Sequence, residues 1–212
     1  MMQLYQLPCA VIQVKGNAAN FINGLSANAL DKPMNAFLNL HGRIIATCWQ
    51  QRISDEEFYL VVPNQAAEAL LAHLNRYAKL SRAQIIPTDL KAYLDLDAPQ
   101  AMIISQEAKA PCVSDDEFTA FRLKIGLPLM GIDYQADEFI LNVHEHNYTS
   151  YTKGCFLGQE PVAKVHNRSK PTRKLIVKYV DECSDEEKAK MTSQIKDPAN
   201  GRIMGFVFVK NV

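Results

Sequence analysis

The segment Lys153-Gly154-Cys155-Phe156-Leu157-Gly158-Gln159-Glu160 sets a thiol, a cation, a carboxylate, an amide and two glycines side by side. A core helix has no use for the glycines, and a plain loop has no use for a cysteine preceded by Lys and Gly. Glycine lets a backbone approach a ligand or take a positive φ. A lysine two residues before a thiol can favour the thiolate. The pattern therefore points to a reactive or coordinating Cys155. As a nucleophile it would need a base, and His144, His146 and His166 are the candidates. As a metal or cluster ligand it would be one thiolate of several, the others coming from a partner, a second chain or small thiols. The plain alternative is a buried structural thiol. Lys153 either holds the thiolate or an anion, or is a surface charge. Gln159 and Glu160 either touch a ligand or pin the loop through backbone amides. His144-Glu145-His146 would place two histidines on one face of a strand, too few ligands to define a site, and no metal is expected.

The elements that must position this loop alternate between the two periodicities. Cys9 to Val14 reads as a strand. Asn17 to Leu30 reads as a helix with Asn17 a candidate N-cap and Ala18, Phe21, Ile22, Leu25 and Leu30 near helical spacing. Asn35 to Leu40 and Arg43 to Gln50 form a hairpin turning at His41-Gly42. After the strand Phe58 to Val62, Pro63-Asn64 opens a helix with the stripe Ala67, Leu70, Leu71, Leu74 and Ala78. His41 falls in a turn and His73 on a helix face. Ala83 to Ile86 and Ala101 to Ser105 are further strands. Ser114-Asp115-Asp116-Glu117 is a capping box whose helix turns Phe118, Phe121 and Ile125 inward and stops at Gly126-Leu127-Pro128. Leu127 to Ser150 is rich in loops. Leu175 to Val180 and Arg202 to Val209 are strands. Strands interleaved with helices, hairpins among them, favour an α+β fold over a doubly wound sheet.

The chain has 212 residues, enough for a sizeable core without disulfides or metals. Lys+Arg and Asp+Glu are both 23. This balance argues against wholesale binding to nucleic acid or anionic membrane. No apolar run is long enough to span a bilayer and the N-terminus lacks a signal-peptide pattern, so the expected location is cytoplasmic. Cys9, Cys48, Cys112, Cys155 and Cys183 are scattered, with no C-x-x-C pair to encode a local zinc or cluster site. Pro161 to Val180 holds no acid and six Lys/Arg residues, followed by an acidic run from Asp181 to Glu187. The basic stretch is either a solvated face complementing that acidic run or a docking patch for an acidic partner or RNA. It has few interleaved aromatics for base stacking.

Lys153-Gly154-Cys155-Phe156-x-Gly158-Gln159-Glu160 resembles the signature of the YgfZ family, folate-binding relatives of the glycine-cleavage T-protein implicated in iron–sulfur protein maintenance. Asn39-x-x-Gly42-Arg43-Ile44-Ile45-Ala46, Phe58 to Pro63 with its following helix, Phe121-Arg122 with Gly126-Leu127-Pro128, and Gly201-Arg202-Ile203-Met204-Gly205 resemble further family segments in the same order. The resemblance covers nearly the whole chain. It implies a T-protein-like folate-binding domain over residues 1–168, including the Cys155 loop, and a small reduced β segment over 169–212. The stretch before the loop looks trimmed.

Two departures bear on chemistry. The T-protein's R-x-E-A-G segment, whose acid helps hold the pterin, reads Arg122-Leu123-Lys124-Ile125-Gly126 here, and an early helical Asp of the T-protein aligns with Leu70. Both weaken the case for aminomethyl transfer. The resemblance implies an accessory protein that binds tetrahydrofolate or a derivative and assists iron–sulfur proteins or their assembly machinery through Cys155. The alternatives are a folate-dependent one-carbon transferase and a partner-binding module that has lost folate. A folate site needs a polar edge for the pterin, flat apolar walls and cations for the glutamate tail. Glu145 and Asn147 are candidates for the edge, Trp49, Tyr148 and Tyr151 for walls, and Arg43 and Arg122 for the tail.

Overall fold

The computed structural model describes residues 2–99, 102–107, 109–110 and 113–211, with the side chains of 145 and 146 left outside the description. Cys112 lies outside the described residues, and so does Ala101, the first residue of one expected strand.

The centre is a five-stranded antiparallel sheet ordered β3-β4-β5-β2-β6. Its strands are β2 (Cys9–Gly16), β3 (Met34–Leu38), β4 (Ile44–Ser54), β5 (Glu57–Pro63) and β6 (Ala83–Thr88). Side chains alternate between the two faces. Val11 pairs with Val61, and Trp49 with Val61, on one face, while Ile12 pairs with Leu60 on the other. Both faces are covered, which is why the central strands read as almost continuous apolar runs. On one side α1 (Ala18–Leu25) and α2 (Asn64–Ser81) close the main core around Ile12, Leu60, Leu70 and Leu74. On the other side Val11, Trp49 and Val61 meet a second cluster containing Leu94, Phe118 and Leu129.

That second cluster is supplied by a small sheet, β1 (Leu4–Gln6), β7 (Lys91–Asp95) and β8 (Met102–Ser105), and by α3 (Asp115–Ile125). The Ser114 capping box forms in full, and Gly126 ends α3 in the left-handed conformation at φ 65°. Short helices α4 (Ile140–Val143) and α5 (Glu145–Tyr148) lead to α6 (Gln159–Arg168). The C-terminal sheet, ordered β10-β11-β9, consists of β9 (Arg173–Tyr179), β10 (Thr192–Lys196) and β11 (Ile203–Lys210), with α7 (Asp185–Ala189) between β9 and β10. Its Leu175, Met204 and Phe206 belong to the main core, so this sheet shares the body of the protein. No helix among the described residues is long and apolar enough to cross a membrane.

Four sequence expectations shift. The first helix ends at Leu25 rather than Leu30, because Ser26 and Ala27 leave it to bond across to the hairpin. Asn17 makes no cap to the helix backbone; its Oδ1 accepts from the Asn20 side chain at 2.8 Å. The buried face of α2 is Ala66, Leu70, His73, Leu74 and Ala78. Ile125 is 46% exposed because Gly126 turns the chain before that side chain can reach the core.

His73 is buried between the rings of Phe37 and Tyr77, with its Nε2 unpartnered. Burial first, then nearby Arg76, lowers its pKa below the ordinary imidazole range. The folded state therefore holds His73 neutral, while the unfolded chain binds a proton below a pH of about 6.5. This contribution to stability is present above that pH and fades as pH falls through it. The urea midpoint is expected to drop between pH 7.5 and 5.5, with a smaller drop in His73→Leu. An equal drop in the variant would remove His73 as a cause.

Candidate functional site

The Cys155 loop is tied down from both ends. Ser150 N donates to Ala27 O at 2.9 Å, and Leu157 N donates to Gly24 O at 3.0 Å. Lys153 Nζ donates to Asn23 O at 2.8 Å and Ser26 O at 2.5 Å, at the C-terminal end of α1. It also lies 5.2 Å from the centroid of the Phe156 ring. A cation there satisfies end carbonyls and complements the helix dipole. Burial pushes the Lys153 pKa down to about 8. Its ammonium thus serves α1, and its first partners are carbonyls rather than the thiol two residues away.

Gly158 takes φ 83° and presses against the hairpin tip. A Cβ there would collide with Asn39 O and sit 3.2 Å from Leu38 Cβ. Asn39 closes that tip by accepting from His41 N at 2.9 Å and Arg43 N at 3.1 Å. Gly42, at φ 71°, packs under Phe139 and Val162. The end of α1, the β3–β4 tip, the loop and the first turn of α6 therefore form one packed unit. Cys155 stands exposed on it. Cys48 and Cys183 are buried and Cys9 half-buried. Burial raises the Cys9 thiol to about 12 and the Cys48 thiol higher still. Among the described cysteines, Cys155 is the most open to a reagent or partner.

The remaining candidates fall in different places. Gln159 Oε1 accepts from Phe156 N at 3.4 Å, a long bond that braces the loop, and Glu160 is exposed in the first turn of α6. Arg43 is exposed at the hairpin tip, its guanidinium donating to Asp137 O at 3.4 Å. Arg122 is 2% exposed. It donates to Asp133 Oδ2 at 2.7 Å, Leu127 O at 3.2 Å and Ser193 Oγ at 2.8 Å. That guanidinium ties α3 to β10 through its two terminal nitrogens and is turned away from solvent, its Nε without a partner, so it does not stand open as the cation expected for a ligand tail. Glu145 lies in α5 with its side chain outside the description.

Asn147 and Trp49 share a cavity of about 410 Å³ with Asn28, Lys32, Met34, Ile125 and Leu127. That volume falls within the range of small-molecule sites. The rim is held by a buried amide network that sequence reading missed. Asn35 Nδ2 donates to Ser26 Oγ at 3.0 Å and Gln50 Oε1 at 2.9 Å. Gln50 Nε2 donates to Ala29 O at 2.9 Å and Lys32 O at 2.7 Å. Asn28 Nδ2 donates to Met34 O and Asn147 O, both at 2.9 Å. The available signal was an amide inside each apolar strand, Asn35 in one and Gln50 in the next. A larger cavity of about 940 Å³ between α3 and the β9–β11 sheet is lined by none of the predicted site residues. Among the described residues, no three metal-ligating side chains converge.

No protein-family model matches the sequence. Among solved structures, the glycine cleavage system aminomethyltransferase T from Bartonella henselae superposes with a TM-score of 0.70. The match covers 99% of this chain and 81% of that one at 16% identity. The fold is therefore that of a glycine-cleavage T-protein, with mixed helices and antiparallel sheets.

Proposed function

We propose that the protein is a folate-binding accessory factor of the YgfZ type. It binds a reduced folate beside Trp49 and uses the exposed thiol of Cys155 in the assembly or repair of iron–sulfur proteins in the cytoplasm. The observation that carries the folate half is a T-protein fold in which Trp49 on β4 and Asn147 on α5 line one cavity. The chemistry of the lining suits the ligand. The indole is a flat wall for a pterin, the carboxamide of Asn147 is a polar edge, and Lys32 is a cation for a glutamate tail.

Trp49 is the only tryptophan, so binding has a built-in reporter. Titration with tetrahydrofolate is expected to quench its fluorescence saturably and to release heat in calorimetry. Asn147→Ala should weaken the affinity about tenfold, the loss of one buried hydrogen bond. Absence of both heat and quench ends the folate reading.

A second reading, aminomethyl transfer, is favoured by the activity named for the structural neighbour. It predicts turnover of an aminomethyl donor with tetrahydrofolate that survives Cys155→Ala. The accessory reading predicts no turnover, and loss of complementation in vivo by the same variant.

A further inference from the structure

The acidic run does not neutralise the basic stretch that precedes it. Arg202 takes Asp181 and Glu182, Lys188 takes Asp185, and Lys190 takes Glu186. Lys178 alone crosses from the basic stretch, to Glu187 at 3.0 Å. Arg173 is held by Glu138 and lies over the Phe208 ring. Lys164, Arg168, Lys170 and Lys174 remain, all exposed and none in an ion pair among the described residues. Lys164 and Arg168, four residues apart on α6, share one face of the helix. Lys170 lies two residues past the end of α6, and Lys174 is the second residue of β9.

We propose that this α6–β9 surface docks an acidic segment of a partner protein, with Lys164, Arg168 and Lys170 as its anchors. Arg168 also complements the dipole at the end of α6, but that needs one cation in the last turn and leaves Lys170 and Lys174 unexplained. Glu160 lies at the start of α6, while the carboxylates at β9 are already engaged, Glu138 by Arg173 and Glu187 by Lys178. The partner is protein rather than nucleic acid for two reasons. The Tyr151 ring is already stacked on His166 at 3.7 Å and 18°, so it offers no bare platform on that side for a base. Leu40, 70% exposed, stands on the hairpin tip that packs against the first turn of α6, an apolar contact of the kind protein interfaces use. Cys155 sits just ahead of the same helix, so a docked segment would be held close to the thiol.

The inference goes beyond folate binding and is tested without folate. The probe is a fluorescein-labelled deca-glutamate peptide, followed by anisotropy at 25 and 200 mM salt. Saturable binding that weakens with salt is expected. Reversing Lys164, Arg168 and Lys170 together to Glu should weaken it about tenfold or more, the combined effect of three surface charge pairs. A charge-matched control, with Arg76, Lys79 and Arg82 all changed to Glu on and after the exposed side of α2, should change affinity less than about twofold. Circular dichroism checks that both variants fold. Three results overturn the proposal: no saturable binding by the wild type, equal losses in the two triple variants, or tighter binding of a 20-nucleotide RNA through the same residues.

Discussion

Replacing Arg122 by leucine is expected to destabilise the protein by about 3–5 kcal/mol, the cost of removing one member of a buried ion pair. For a chain of this size that lowers the melting temperature by about 10 °C. The size of the effect comes from what remains. The Asp133 side chain has no exposure and the Arg122 side chain only 2%. Without the guanidinium, Asp133 keeps bonds from Leu129 N at 2.8 Å, Thr192 Oγ1 at 2.8 Å and Ser193 Oγ at 2.5 Å. Those neutral donors do not neutralise a carboxylate out of water. Arg122 also spans two rings, 5.6 Å from the Phe118 centroid and 5.8 Å from that of Phe206, so its loss loosens α3 against the C-terminal sheet. Adding Asp133→Leu to Arg122→Leu should recover part of the loss, because two apolar side chains leave no stranded charge. The same variants test the folate assignment. A guanidinium turned wholly inward predicts that folded Arg122→Lys binds tetrahydrofolate with unchanged affinity. A large loss of affinity without a loss of stability would put Arg122 back in the ligand site.

Where the sequence was legible, the signal was local. The Ser114 box closes within three residues, and the His41-Gly42 turn follows from a glycine that must take φ 71° between two apolar strands. The strands β1, β7 and β10 escaped because they are short and carry no clean alternation. Lys91–Asp95 is buried over four of its five positions by α3 and its neighbours, which no periodicity in KAYLD announces. At the site the limit was direction. Lys153 and Cys155 are neighbours in sequence, yet one side chain points to the end of α1 and the other to solvent. Arg122 looks from sequence like a free cation, and its partner Asp133 lies in a loop with no pattern of its own. The cavity joining Trp49 to Asn147 depends on Asn28 bridging from one loop to α5, a long-range contact that spacing along the chain does not encode.

The loop's position on the hairpin yields the other large effect. Gly158→Ala forces a side chain into the left-handed region, which alone costs about 1–3 kcal/mol. It also drives the new methyl into the Asn39 carbonyl, which is backbone and cannot swing aside. That carbonyl is already fixed, accepting from Gly42 N at 3.0 Å across the tip. The tip cannot retreat either, because Gly42 is backed by Phe139 and Val162. The strain is therefore expected to lift the loop off α1, breaking the Lys153 bonds to Asn23 and Ser26 and the Leu157 bond to Gly24. The total loss should be about 2–4 kcal/mol in the urea unfolding free energy. Lys153→Met, which keeps the stem and removes the ammonium, should release the same loop at a lower cost in stability. Both variants should raise the rate at which Cys155 reacts with a bulky maleimide, while a small reagent such as iodoacetamide changes little because the thiol is already exposed. If Gly158→Ala keeps wild-type stability and the wild-type maleimide rate, the hairpin does not hold this loop. Cys155 would then owe its position to something other than the contact between Gly158 and Asn39.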